Sequence, residues 1–152
     1  ENVRVAVQAR YRREARVFWR STAARRDLQQ QAEEVLAAVG IVDRAAMRAG
    51  DLSHGAQRSL EIAMALAARP SLICLDEPLA GMSIDDVHRT KELILKLKGR
   101  MAVLLIEHNM SVVLSISDRV TVMAQGRLIA EDEPDRIRTN ETVRTAYLGG
   151  QA

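Results

Sequence analysis

A single cysteine, Cys74, excludes a disulfide within the chain. No apolar run approaches the roughly 18 residues that a membrane-crossing helix needs. None of the eight glycines (40, 50, 55, 81, 99, 126, 149 and 150) belongs to a G-x-x-x-x-G-K-[ST] loop, so the chain has no phosphate-cradling loop of its own. The first residues do not read as a secretory leader, and cytoplasmic placement is expected. The composition of the 152 residues is ordinary for a globular chain with one substantial core: 47% apolar, 28% charged, with mean hydropathy near zero at −0.12.

Net charge is only +2, but it is unevenly spread. Residues 1–30 hold eight arginines (4, 10, 12, 13, 16, 20, 25 and 26) against Glu1, Glu14 and Asp27, so this segment carries +5 and the remainder −3. Tyr11, Phe18 and Trp19 fall in the same stretch. Arginines interleaved with aromatics suit three settings: a solvated arm or helix that packs by its aromatics, a contact with a membrane-embedded partner or nearby headgroups, or nucleic acid. The first is the simplest and is the reading adopted; no nucleic-acid partner is expected.

Periodicity places the elements. Leu28, Ala32, Val35, Leu36 and Val39 recur at helical spacing, with Asp27 as an expected N-cap and Gly40 as the stop. Ser53 opens a second helix to about Ala68, with Leu60, Ala63, Met64 and Ala67 on one stripe. Ser83 caps a third, in which Val87, Thr90, Ile94 and Leu97 repeat before Gly99; His88 on this helix is read as an exposed residue. Ser71–Leu75 and Met101–Ile106 are apolar runs without alternation, which suits parallel strands buried on both faces and makes Cys74 a packed core residue. Asn109–Ile116 forms a short helix, and Arg119–Met123 with Arg127–Ala130 a hairpin about Gln125-Gly126. Strand, helix, strand, helix predicts an α/β fold with a mostly parallel sheet.

Two places carry chemistry. Asp76 and Glu77 stand at the carboxyl end of the first strand, where open α/β sheets bind ligands. The turn Leu52, Ser53, His54, Gly55, Ala56, Gln57 opens a helix whose free N–H groups and partial positive charge attract phosphate oxygens. Ser53 adds a hydroxyl donor and Gly55 permits close approach. Alone, such a turn reads as a plain N-cap with a permissive glycine, and an acid pair as a loop cap; their ordered combination carries the functional reading.

That combination resembles the ABC-type ATPases. LSHGAQ is similar to their LSGGQ signature, LICLDE (residues 72–77) to the Walker B strand, LAGMS (79–83) to the D-loop, and LLIEH ending at His108 to the strand and switch histidine. DRVTVMAQGRLIAEDEPDRI (118–137) resembles the family's terminal hairpin, and AYLG (146–149) the tail of the branched-chain amino acid importer subgroup. ENVRVAV at the start looks like the segment that follows the family's Q-loop. The chain is therefore expected to be the C-terminal part of a P-loop NTPase fold. The expected domains are a helical signature subdomain with its basic arm over 1–69, and over 70–152 the C-terminal part of the RecA-like core with its hairpin and terminal helices.

The resemblance implies ATP and Mg²⁺ as ligands. Asp76 would bind Mg²⁺ through its water shell, Glu77 would orient and deprotonate the attacking water, and His108 would contact the γ-phosphate. Leu52, Ser53, His54, Gly55, Ala56 and Gln57 would face a nucleotide held by the opposite subunit, and Ala80, Gly81, Met82 and Ser83 would form the D-loop. Departures are His54 in place of the signature's first glycine, Ala56 in place of its glutamine, and Ser83 where the D-loop commonly ends in aspartate. Asp85 and Asp86 are read as early acids favouring the next helix's dipole, with no D-loop role. The implied partners are a second ATP-binding subunit and transmembrane permease subunits, with the protein peripheral on the inner face of the cell membrane. The function implied is ATP hydrolysis powering an importer, with branched-chain amino acids as cargo. The alternatives are a non-catalytic fragment that donates its signature or acts in assembly, and a soluble ABC ATPase outside transport.

Overall fold

A computed structural model describes residues 1–11 and 22–148, the side chains at 22–25, 147 and 148 excepted. Most of the basic arm, including Phe18 and Trp19, and Gly149 of the tail lie outside the described residues. The chain divides into two compact units, Glu1–Leu104 and Leu105–Ala152.

In the first unit, helix α1 (Asn2–Arg10) buries Val3 and Val7, one turn apart, against helices α2 (Thr22–Ala38) and α3 (His54–Ala67). Asp27 was expected to cap α2 and instead lies inside it, where its carboxylate accepts from Gln31 Nε2 at 2.9 Å. The run of alanine and arginine before it favours helix and carries the element back past Asp27. At the other end Gly40 takes φ +77°, with its N–H bonded to the Ala37 carbonyl and that of Ile41 to Leu36. This left-handed cap closes the helix as expected. Two one-turn 3₁₀ segments, Val42–Arg44 and Ala49–Asp51, lead to α3. There Ser53 is the N-cap as read, but Met64 is 40% exposed and Ile62 takes its place beside Ala63 and Ala67 in the core.

Strand β1 (Leu72–Asp76) corrects a second expectation. Only Ile73 and Leu75 are buried, and Cys74 is exposed along with Leu72 and Asp76. Strand β2 (Ala102–Ile106) buries no residue fully: Val103 and Leu105 are half-buried, and Leu104 and Ile106 are more than half exposed. One face of each strand therefore lacks a cover among the described residues, and an apolar run tells of the side chains a strand carries rather than of what lies over them. The Ala102 N–H donates to the Ser71 carbonyl at 3.0 Å, joining the start of β2 to the start of β1, so the two neighbours run in the same direction. Between them α4 (Ile84–Lys98) buries Thr90, Leu93, Ile94 and Leu97.

The second unit holds α5 (Met110–Ile116), the hairpin β3 (Val120–Ala124) and β4 (Arg127–Asp132), α6 (Pro134–Thr139) and α7 (Glu141–Leu148). Gln125 and Gly126 both have positive φ, +50° and +74°, the conformation that matches a two-residue hairpin to the twist of its strands. The core gathers Val120, Val122, Ile137 and Val143, with Ile137 wholly buried. No helix among the described residues is long and apolar enough to cross a membrane.

Candidate functional site

The first unit brings together the signature turn, the acid pair and the D-loop; His108 belongs to the second unit. Asp76 ends β1 with its side chain exposed, and the chain then turns at Glu77, which takes φ +42°. A side chain in this left-handed region costs roughly 1–2 kcal/mol, and Pro78 further restricts the residue before it. The turn continues through the Ala80 N–H, bonded to the Glu77 carbonyl at 3.2 Å, and the Met82 N–H, bonded to Leu79 at 3.3 Å. Pro78 and Leu79 are buried and anchor it, leaving Glu77 exposed.

Ser83 then caps α4. Its hydroxyl accepts from the Asp86 N–H at 3.2 Å and donates to the Asp86 carboxylate at 2.8 Å. The buried Thr90 hydroxyl, one turn on, donates to the Met82 sulfur at 3.4 Å. Both contacts tie the D-loop to α4.

The signature turn packs against this segment. Ser53 Oγ accepts from the Ala56 N–H at 3.4 Å. Gln57 Nε2 donates to the Ala49 carbonyl at 3.1 Å, and so points back along its own turn. His54 Nε2 lies 3.1 Å from the Ala80 carbonyl oxygen. Leu52, Gly55 and Ala56 are buried, which leaves Ser53 and His54 as the exposed members of the six. Gly55 is buried because Asp86 sits on it: a Cβ built there would stand 2.6 Å from the Asp86 carboxyl carbon. Asp86 was legible only as an acid in the first turn of α4. Nothing in the local pattern signals its contact with a glycine on another helix.

A cleft of about 190 Å³ opens beside this contact, lined by Arg44, Gly55, Asp86, Arg89 and Lys96 among others. Sites that enclose a drug-sized ligand are larger, roughly 300 Å³ or more.

In the second unit His108 follows β2 with its side chain 72% exposed, while the side chain of Glu107 is 2% exposed, its carboxylate oxygen 4.0 Å from His108 Nδ1. Asn109 is the N-cap of α5, accepting from the Val112 N–H at 3.3 Å. His88 is exposed on α4, as expected.

The sequence pattern of the ABC transporter family matches residues 2–80, just over half of the chain. The chain belongs to the ABC transporter family. A second pattern, that of the branched-chain amino acid ATP-binding cassette transporters, matches residues 127–152 of this ABC chain. The high-affinity branched-chain amino acid transport ATP-binding protein BraF of Pseudomonas aeruginosa is 42% identical over 126 residues, 82% of this chain and 49% of that protein. The corresponding LivG of Escherichia coli is 41% identical over 113 residues, 73% of this chain and 44% of LivG. Among solved structures, the ADP conformation of MJ1267, an ATP-binding cassette of an ABC transporter, superposes with a TM-score of 0.71 at 31% identity, over 79% of this chain and 49% of that one. The cbiO1 protein of Clostridium perfringens, at 21% identity, shares the fold with a TM-score of 0.70 over 91% of this chain and 54% of its own. The ABC chain thus spans about half the length of the relatives it matches.

Proposed function

We propose that this chain acts as the carboxyl-terminal part of the ATP-hydrolysing subunit of an ABC importer, with branched-chain amino acids as the cargo class. The observation that carries the reading is the assembly of three elements in one unit: an acid pair ending β1, a strained turn at Glu77, and a D-loop held against the first turn of the signature helix. The tail pattern and the printed names of BraF and LivG support the cargo class.

Each residue then has a task. Glu77, displayed on its turn, accepts a proton from the attacking water, which a carboxylate does when placed within hydrogen-bond reach. His108, in the second unit, is the residue that the resemblance assigns to the γ-phosphate. Ser53 and the N–H groups of the first turn of α3 face the phosphates of a nucleotide bound by a second ATP-binding subunit. Asp76 is the residue that would hold Mg²⁺. The exposed carboxylate of Asp76 at the end of β1, with Glu77 next to it in sequence, suits an ion bound through waters, one or two carboxylates and substrate phosphates. The ion supplies neutralisation of phosphate charge. Permease subunits receive the work, and the protein sits at the inner face of the cell membrane. The domain reading of a helical signature region over 1–69 and a core segment over 70–152 belongs to this proposal.

Calorimetry with ATP and Mg²⁺ tests it, comparing the 152-residue chain with one extended upstream through a Walker A loop. Binding and turnover by the extended chain alone are expected. An extended chain that binds no ATP would leave the signature-donating module, and binding by the short chain would place the phosphate site elsewhere.

A further inference from the structure

We propose that His54 is a positioning residue for the hydrolytic reaction, its imidazole latching the signature turn to the D-loop and, through one residue of that loop, to the backbone of Glu77. The proposal rests on the functional reading above and adds a role for a side chain that departs from the family's signature.

The geometry runs through two hydrogen bonds. A carbonyl oxygen only accepts, so His54 Nε2, 3.1 Å from Ala80 O, is the donor; both the Nε2–H neutral tautomer and the imidazolium supply that proton. Ala80 in turn donates its own N–H to the Glu77 carbonyl at 3.2 Å. One residue therefore joins the imidazole to the residue that carries the carboxylate base. Glu77 holds φ +42°, a conformation that persists only when its surroundings over-determine it, and this chain of bonds is one such restraint.

Gly81 fits the same arrangement. Its φ is +70°, and a Cβ built on it would lie 3.3 Å from both Cδ2 and Nε2 of His54, so the ring lies close over the glycine backbone. A second contact runs parallel to the first, where the Asp86 carboxylate covers Gly55 one residue beyond His54. Residues 54 and 55 of the signature are thus fitted to residues 80, 81 and 86. A nucleotide that engages the first turn of α3 acts on a turn already joined to the D-loop. Glycine at position 54 would leave the two segments unconnected by any side chain there.

The test uses His54→Ala and His54→Gln in the chain extended through a Walker A loop. Glutamine Nε2 stands the same number of bonds from Cβ as histidine Nε2 and can donate to the same carbonyl. In His54→Ala, kcat is expected to fall about three- to tenfold, the span of one neutral hydrogen bond, with KM for ATP within about twofold. His54→Gln should return kcat to within about twofold of the parent. Hydrogen exchange needs no hydrolysis: the Ala80 and Met82 amides should exchange about three- to tenfold faster in the alanine variant and at the parental rate in the glutamine variant. Parental kcat and parental exchange in His54→Ala would overturn the proposal, as would a glutamine variant that behaves like alanine. A parent that shows no hydrolysis would remove the functional reading, and the exchange rates would still decide whether His54 latches the loop.

Discussion

Replacing Gly55 by alanine should destabilise the first unit, although alanine is the better helix former. Gly55 lies in the first turn of α3 without positive φ, so the backbone presents no barrier to a side chain. Helix propensity alone would make the change favourable by about 1 kcal/mol. Against this, the new Cβ would meet the Cγ, Oδ2 and Cβ of Asp86 at 2.6, 2.7 and 2.9 Å, all inside the separation that real Cβ atoms keep. The carboxylate could swing only by giving up its 2.8 Å bond from Ser83, and the Cβ of Asp86 moves only if α4 moves. Overpacking of this kind costs roughly 1–3 kcal/mol, which leaves a net loss of about 0–2 kcal/mol. The sharper quantity is the coupling. In an Asp86→Gly background all three obstructing atoms are gone, and Gly55→Ala should then stabilise by about 1 kcal/mol. Urea melts of the four proteins in the extended chain measure the cycle. A coupling energy below about 0.5 kcal/mol would refute the contact, since distant, independent sites add to within that margin.

Three other outcomes follow from the same geometry. Glu77→Gly should raise stability by about 1 kcal/mol by relieving the φ of +42° while abolishing hydrolysis; Glu77→Gln keeps the strained turn, and hydrolysis falls at least about 10²-fold. Denaturant melts beside a phosphate-release assay check both, and a glycine variant less stable than the parent would contradict the strain. Ile137→Ala, at a wholly buried side chain, should cost roughly 2–5 kcal/mol and appear as lost exchange protection in β3 and β4. Leu72 and Leu104, 51% and 53% exposed, should make the 152-residue chain self-associate, and Leu72→Lys with Leu104→Lys should shift its sedimentation toward monomer.

Local chemistry was the legible part of this fold. Ser53 and Ser83 each cap a helix through a bond to an N–H three residues on, so identity and position suffice to find them, whereas Asn109, read as the first residue of its helix, is its cap in the structure. The Gln125-Gly126 turn is local in the same sense. Asp27 misled because an acid before an amphipathic stripe looks like a cap, whereas the helix had begun in residues without apolar periodicity. Cys74 and Leu72 misled for another reason: burial of a strand face depends on which surface lies over it, and adjacent residues carry no record of that. In the site, the acids Asp76 and Glu77 at the end of an apolar strand could be read from the sequence, and residues 79–83 were singled out by their resemblance to a D-loop. The contacts of His54 with Ala80 and of Asp86 with Gly55 join residues 26 and 31 positions apart and are visible only in the folded chain.

The close fit of the His54 ring over Gly81 bears on how such chains diverge. Any side chain at position 81 would press on the imidazole at 3.3 Å in a backbone conformation that already disfavours it, while a glycine at 54 would vacate that space. Ala80 makes both of its contacts here through its main chain, its carbonyl toward His54 and its N–H toward Glu77. Substitution histories should therefore couple the two outer positions and skip the one between: relatives with a ring at 54 keep glycine at 81, and those with glycine at 54 tolerate wider choice there.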